Sequence, residues 1–436
     1  MKFKAKYLTL ILLILSPLSC NEWIELQPPD GLVREEYWQT KEDVETLLMS
    51  AYETLASMDE LLFLHGELRA DMVEGDDNQS TREQLIAEGN IYPDNRLSDW
   101  DDFYKVINSC NEVLKNAPEV KIIDNTFTKF QLQSLMSEAI FIRSLTYFYL
   151  VRIYKDVPLI LEPSESDNVD FYVSKSTDEE ILNQIITDLE NYRLTAPNGN
   201  FATAEENKGR ASKNAFSALL ADIYLWKFDY ENVIEYVDDI ITGEEYFLLP
   251  GGFWFELFYP GNSPESIFEL QFDGQRNQAN STFELTHHQG EQYDPSQKAI
   301  EMFSFEFSRE LIRGENNSIR KYSDGDYVIW KYIGSAGDGK SFRGGNEFQS
   351  CNWIVYRYAD VLLMKAEALS QLERYPEALS IINQIRERAE VIALNLPNSK
   401  IAYEDAILEE RALELAFEGK RWFDLLRMGR RNDFSR

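Results

Sequence analysis

The chain has 436 residues with 43 basic and 75 acidic side chains, a formal net charge of −32. A surface of that sign repels nucleic acid and anionic lipid, so neither is expected as a partner. With 44% hydrophobic and 13% aromatic residues there is still ample material for a core, and the length fits one large domain or two of ordinary size.

At the N-terminus, Lys2, Lys4 and Lys6 precede an apolar run over residues 7–15, and "SPLSC" follows, ending at Cys20. The pattern predicts an export signal over residues 1–19, too short to stay as a spanning helix. A cysteine directly after such a run, with small Ser19 before it, predicts signal removal and lipid attachment at Cys20; the alternative is an ordinary secretory signal with an incidental cysteine. Lipoprotein signals usually carry Leu three residues before the cysteine, where this chain has Pro17. No later segment is long and apolar enough to cross a bilayer, so residues 20–436 are expected to form one tethered domain outside the cytoplasm. Cys110 and Cys351 are too few for a disulfide framework and are expected in the core.

Helical periodicity dominates both ends of the chain. Val44, Leu47, Leu48, Ala51, Tyr52 and Leu55 share one helix face, and Thr40 with Asp43 predicts a capping box ahead of it. Residues 129–155 read as a second long helix, apolar nearly all round over "AIFIRSLTYFYLVRIY" and ended by Pro158, which predicts burial among other helices. "ADIYLWKFDYENVIEYVDDI" from Ala221 and "AEALSQLERYPEALSIINQI" from Ala366 align at a constant offset. Ala221 matches Ala366, Tyr230 matches Tyr375, and Ile234, Val237 and Ile240 match Leu379, Ile382 and Ile385. Small residues for close approach, a tyrosine at the turn and aliphatics toward the partner helix follow the logic of tetratricopeptide repeats. Over residues 244–352 the pattern changes to short aromatic and β-branched runs such as "SIFELQF" and "YVIWKYI", broken by loops. Residues 62–100 are similarly irregular, and long structured loops in a helical scaffold usually carry binding.

Five ordered blocks carry a family resemblance: "CNEWIELQPPD…YWQTKEDVETLLMSAYETL", "SEAIFIRSLTYFYLVRIYKDVPLI", "GRASKNAFSALLADIYLWKFDYENVIEYVDDII", "VYRYADVLLMKAEALSQLERYPEALSIINQIRERA" and "ILEERALELAFEGKRWFDLLR". Together they resemble the SusD/RagB family of outer-membrane nutrient-binding lipoproteins. The resemblance implies a mainly α fold, with tetratricopeptide-like helix pairs in a right-handed superhelical scaffold beside an irregular region with short strands. It implies a lipid-anchored place on the surface of Bacteroidota cells and a SusC-like TonB-dependent barrel as partner. It also implies capture of an oligosaccharide, or in some cases a peptide, for delivery into that barrel, with no cofactor. Chains of the family continue well beyond the last block, whereas this sequence stops at Arg436, which leaves open what a longer tail would pack against.

Three chemical readings compete with capture. Residues 334–341, "GSAGDGKS", satisfy the phosphate-loop pattern G-x-x-x-x-G-K-[ST], in which Lys340 would meet outer phosphates and Ser341 a Mg²⁺. That mechanism needs a helix directly after the loop, and "SFRGGNEFQSCNW" has no helical period; the expectation is a surface loop and no nucleotide. His65, His287 and His288 are the only histidines and lack ligand spacing, so no metal is expected. Among 75 acids any glycosidase-like pair can be picked, so such a pair carries no information. Glu418, Arg421, Trp422 and Asp424 look catalytic, yet Glu418 and Arg421 lie three apart and are expected to form a structural ion pair.

A sugar offers apolar C–H faces and a rim of hydroxyls, so its receptor needs aromatic platforms beside polar groups. The resemblance places the ligand site on loops of the irregular region and on the segment before "WDDFYKVINSCN". That nominates Asp71, Asn78 and Tyr92 in the first loop set and Tyr293 and Trp330 in the second, with Trp254 and Arg343 behind them. The expected function is non-enzymatic capture of glycan at the cell surface; the alternatives are the same scaffold binding peptides, or a helical-repeat adaptor that binds protein.

Overall fold

The computed structural model describes residues 37–75, 79–164, 172–286, 292–345 and 347–435. In chain order the elements are α1 (Lys41–Ala56), α2 (Asp59–Phe63), a π-helical turn (Leu64–Leu68), β1 (Val73–Gly75), α3 (Thr81–Ala87), α4 (Asp101–Ile123), α5 (Lys129–Tyr154), α6 (Asp178–Arg193), α7 (Ala204–Gly209), α8 (Lys213–Trp226) and α9 (Tyr230–Thr242). There follow β2 (Ser266–Leu270), α10 (Thr282–Thr286), β3 (Tyr293–Pro295), α11 (Gln297–Phe303), β4 (Ile319–Lys321), β5 (Tyr327–Ile329), β6 (Trp353–Arg357), α12 (Tyr358–Gln371), α13 (Tyr375–Arg388), α14 (Lys400–Glu414) and α15 (Arg421–Arg431). The fold is therefore mainly α with a few short strands. Among the described residues no helix is long and apolar enough to cross a membrane.

Local chemistry sets the helix ends. Thr40 and Asp43 form the expected capping box of α1: the Thr40 hydroxyl accepts from the Asp43 N–H at 3.3 Å, and the Asp43 carboxylate accepts from the Thr40 N–H at 2.7 Å. Thr128 and Gln131 cap α5 in the same way. Residues 137–153 of α5 are buried on every side, because α1, α4, α6 and α8 all pack against it. The two aligned segments are α8–α9 and α12–α13. Tyr230 and Tyr375 each open the second helix of their pair, and Ala221 and Ala366 are fully buried. α9 packs on α12, which joins one pair to the next.

Among the described residues the irregular region is held by three two-stranded antiparallel pairings, β1–β3, β2–β6 and β4–β5. "SIFELQF" forms β2 as expected, whereas only the first three residues of "YVIWKYI" pair as β5 before the chain turns. Residues 62–100 are more ordered than their sequence suggests, with the π-turn, β1 and α3 inside them. The β1–β3 ladder matches Val73 with Pro295 and Gly75 with Tyr293, so it joins the two irregular segments directly. Cys110 and Cys351 are separate buried thiols.

A buried ionic cluster ties this region to the C-terminal helices. Arg357, at the end of β6, donates to Glu265 (2.7 Å), Glu414 (2.6 Å) and Glu418 (2.9 Å). Arg313 reaches Glu310 (2.8 Å), Glu410 (2.7 Å) and Glu414 (3.1 Å). Lys331 meets Glu418 at 2.7 Å, and Arg388 pairs with Glu414. Burial alone would raise the Glu414 carboxyl, yet the Arg388, Arg357 and Arg313 charges hold it well below the usual carboxylate range. Breaking such a cluster leaves uncompensated charges in a dry interior. Arg357→Met is expected to cost about 3–5 kcal/mol of stability, read by urea denaturation; a loss below about 1 kcal/mol would show that the remaining cations suffice.

Candidate ligand-binding cleft

A concavity of about 1270 Å³ opens between loop 91–100, the first two turns of α4, the end of α5 and a strap over residues 158–164 and 173–175. Its floor is aromatic. The Trp100 ring lies 6.3 Å from Tyr104 and 5.6 Å from Tyr154, and the Lys175 ammonium sits 5.1 Å above Trp100. Tyr92, 50% exposed, stands at the rim. Around these rings lie Asp99, Asp101, Lys105, Asn108, Ser109 and Glu162. Rings beside polar groups that can donate and accept make a surface suited to a polyhydroxylated ligand.

Both walls are fixed by hydrogen bonds. The strap is held by Tyr104, whose hydroxyl donates to the Pro158 carbonyl at 2.6 Å, and by Tyr147, whose hydroxyl donates to the Ile160 carbonyl at 2.9 Å and accepts from its N–H at 2.7 Å. Asn108 accepts from the Ser164 N–H at 2.8 Å. On the other side Asn95 accepts from the Leu97 N–H at 3.1 Å and donates to the Arg82 carbonyl at 3.0 Å. Burial raises the Tyr104 and Tyr154 phenols, which therefore stay protonated at neutral pH. The Tyr154 hydroxyl and the Ser98 hydroxyl, both on cleft-lining residues, have no hydrogen-bond partner among the described residues.

Beneath loop 91–100 runs the π-turn. His65 Nε2 lies 3.0 Å from the Leu97 carbonyl, and burial lowers the imidazole to about 4, so it is neutral and donates that proton. Glu67 accepts from the Lys420 N–H at 3.0 Å, at the turn that opens α15. The contact is close backbone on backbone: a Cβ on Gly66 would stand 2.3 Å from the Gly419 carbonyl oxygen. Single π-turns of this kind recur at functional sites because they re-aim the residues that follow.

Residues 22–225 match the family described as starch-binding and associating with the outer membrane, and residues 312–436 match the SusD family. The chain belongs to the SusD family. Relatives include SusD-like protein P38 of Formosa agariphila, 27% identical over 479 residues that cover 98% of this chain and 92% of that protein. A SusD-like protein of Bacteroides ovatus is 25% identical, covering 75% of this chain and 64% of the other. Among solved structures, a SusD superfamily protein from Bacteroides thetaiotaomicron superposes with a TM-score of 0.77 at 22% identity over 91% of each chain. The surface glycan-binding protein A from Bacteroides uniformis gives 0.72 at 21% identity, over 89% of this chain and 88% of that one.

Against this SusD-family fold the nominated residues divide. Tyr92 is at the cleft rim. Asp71 is a latch: its carboxylate takes Arg421 through Nε (2.7 Å) and Nη2 (3.0 Å), and Lys298 as well. Against the upward push of burial, Arg421 and Lys298 hold that carboxyl at about 2. Tyr293 and Trp330 are corrections. Tyr293 is fully buried with its ring 5.7 Å from Phe63, and Trp330 is buried under Tyr322 and the Arg320 guanidinium, 4.5 Å from its ring. Neither offers a free face for stacking, because β3 and the end of β5 lie inside the packed junction and not on loop tips. Trp254 and Arg343 are buried too, Arg343 donating to the Tyr332 and Phe255 carbonyls. Asn78 and Cys20 lie outside the described residues, as do His287 and His288.

Trp100, Tyr104 and Tyr154 were not among the nominations. A usable signal existed: Trp100, Tyr104 and Asn108 recur every four residues and so share one face of a helix start. Glu418 and Arg421 are structural, as expected, but not with each other: Glu418 serves Arg357 and Lys331, and Arg421 serves Asp71. Asp424 is likewise paired with Arg411 at 2.8 Å and Arg427 at 2.9 Å.

The phosphate-loop lookalike is a self-capped turn. Asp338 accepts from the Lys340 N–H, the Ser341 N–H and the Ser341 hydroxyl at 2.7–2.8 Å, which occupies the groups that would cradle a phosphate. Among the described residues no α-helix follows it before β6. Gly334 serves packing: a Cβ there would stand 2.2 Å from Trp330 Nε1.

Glu67 generates a pH prediction. Burial pushes its carboxyl up to about 8 despite backbone N–H donors. Between the unfolded value near 4.3 and 8 the folded chain binds more protons than the unfolded one, so stability falls as pH rises, by at most about 1.4 kcal/mol per pH unit. Glu67→Gln keeps an acceptor for Lys420 and never ionises. Its melting temperature is expected to match the parent near pH 4 and to exceed it at pH 8; equal melting at both ends would reject the assignment.

Proposed function

We propose that this SusD-family chain captures oligosaccharides at the cell surface in the cleft lined by Tyr92, Trp100, Tyr104 and Tyr154. It does so without cleaving them and passes them to a SusC-like TonB-dependent barrel. The observation that carries the reading is the aromatic floor with its ring of polar side chains. The family's description as starch-binding and outer-membrane-associated supports the ligand class and the location. Walls pinned before a ligand arrives lower the ordering cost of capture.

Stacking on a ring buries apolar surface at roughly 25 cal/mol per Å². Calorimetric titration of a glycan panel should therefore find at least one ligand whose binding to Tyr92→Ala or Trp100→Ala is weaker by roughly tenfold or more, about 1.4 kcal/mol. Tyr92→Ala should leave melting nearly unchanged. Trp330→Ala should do the reverse, costing about 3–5 kcal/mol in folding while the folded fraction still binds. If both cleft variants bind a parent-positive glycan normally, the cleft is not the site.

The tether is read from Cys20. Cys20→Ala should release the protein from outer-membrane fractions or leave it unprocessed, and labelled fatty acid should enter the parent only. A variant that still fractionates with the outer membrane, together with a parent that takes up no label, would reject it.

A further inference from the structure

Two cations at the cleft have no carboxylate partner among the described residues. Arg69 follows the π-turn directly, half-buried, and its guanidinium lies 4.4 Å over the ring of Trp422 in the first turn of α15. Its Nε and Nη1 groups are buried without a hydrogen-bond partner among the described residues. Three other arginines also leave a buried N–H unbonded, yet each keeps a counter-charge: Arg152 has Asp222, Arg388 has Glu265 and Glu414, and Arg411 has Asp360 and Asp424. Water can satisfy an N–H group, but it does not supply a missing charge. Burial lowers the Arg69 guanidinium to about 10, so it is still charged at neutral pH.

Arg69 stands within electrostatic reach of the cleft floor. The Tyr154 phenol, raised by burial, is pulled down by the Arg69 charge and pushed up by the Asp99 carboxylate, and Tyr154 and Asp99 both line the concavity. Lys175 of the strap is exposed and rests 5.1 Å above Trp100, with no ion pair among the described residues. Trp100 is itself 5.6 Å from Tyr154, so the order along the floor is Lys175, Trp100, Tyr154, Arg69. The acids nearby do not neutralise this row. Asp102 is taken by Lys105 at 2.7 Å, and Asp99 accepts from the Asp101 N–H at 3.2 Å where α4 begins, a helix end that favours negative charge. Glu162 is exposed on the strap.

We propose that the captured sugar carries a negative charge, the carboxylate of a uronic acid or a sulfate ester, and that Lys175 and Arg69 read it from opposite edges of the aromatic floor. The proposal rests on the capture reading above and names its ligand class. A ring stacked on Trp100 brings its substituents to Lys175 on one edge and, on the other, to the Tyr154 hydroxyl with the Arg69 charge beside it. A sugar that takes the face under Lys175 displaces the ammonium from the indole. An anionic group offers that ammonium a charge-assisted bond in exchange, where a neutral ring offers none. The net charge of −32 repels such a ligand at long range, so two uncompensated cations at a single cleft are the local exception that admits it. Trp422, which has no part in the ionic cluster of its neighbours Glu418 and Asp424, here has the task of holding the guanidinium in place.

The test titrates the full chain by calorimetry with oligogalacturonate and alginate oligosaccharides, each beside its carboxyl-reduced form, and with sulfated galactan oligosaccharides beside the desulfated form. The two arms separate a carboxylate from a sulfate. The parent is expected to bind a charged member about tenfold or more tighter than its neutral counterpart. That ratio should fall toward unity in Arg69→Gln and in Lys175→Gln, while Arg69→Lys should keep part of it. Melting of Arg69→Gln should equal or exceed the parent's, because a charge without a counter-charge is removed. A purely structural Arg69 would instead lower melting and leave the ratio alone, which overturns the proposal. Lys175 is exposed, so Lys175→Gln reads the same ratio without risk to folding. Binding that Trp100→Ala abolishes, but that is equal for charged and neutral members, overturns the charge reading and leaves capture standing. No binding by any member overturns both.

Discussion

Glu414 is the residue on which the two halves of the molecule converge. Arg313 comes from the irregular region, Arg357 from the end of β6 and Arg388 from the end of α13, and all three reach this one carboxylate inside a dry interior. A charge taken out of water is tolerated only where partners replace its hydration, and each partner here is itself shared with Glu265, Glu310, Glu410 or Glu418. The cluster therefore works as a geometric key: any displacement of the irregular region against the C-terminal helices leaves several charges unmatched at once. Such a junction specifies one arrangement where packing alone, with few strands and long connections, would allow several.

That same junction explains what could be read from sequence. The helix pairs were legible because their cues are local: a capping box at Thr40, small residues at Ala221 and Ala366, and tyrosines that open second helices. The ionic cluster was not legible, since Glu414 and Arg313 are about a hundred positions apart and each looks like a solvated helix charge. Tyr293 and Trp330 are nominated as platforms by the family resemblance, which places the ligand site in the irregular region. Their burial comes from partners distant in the chain, Phe63 for Tyr293 and the Gly334 turn folded over Trp330. Trp100, Tyr104 and Asn108 were legible by their spacing, but the concavity they line needs a strap that arrives some fifty residues later.

The cleft is built on stiff parts. Its aromatic floor belongs to helix ends, and its strap is held by side-chain bonds from α4 and α5 to backbone groups at Pro158, Ile160 and Ser164. Side chains placed this way lose little further freedom on binding, which favours selectivity through shape over adaptation. The scaffold that positions them spends its own polar groups on structure: Asp71, Glu418 and Arg421, all plausible ligand contacts by residue type, are consumed in latches.

The π-turn under the cleft has a consequence for biogenesis. Glu67 is satisfied by a backbone N–H that lies 353 positions later, and Asp71 by an arginine 350 positions later. A chain delivered N-terminus first can form its early helix pairs as they emerge, yet the support beneath loop 91–100 must wait for residues 419–421, some 350 positions downstream. Contacts of such sequence separation are the slow ones to close. The cleft is thus supported only once residues 419–421 are in place, and a chain cut short before Gly419 would leave the buried Glu67 carboxyl without the backbone donors of that turn.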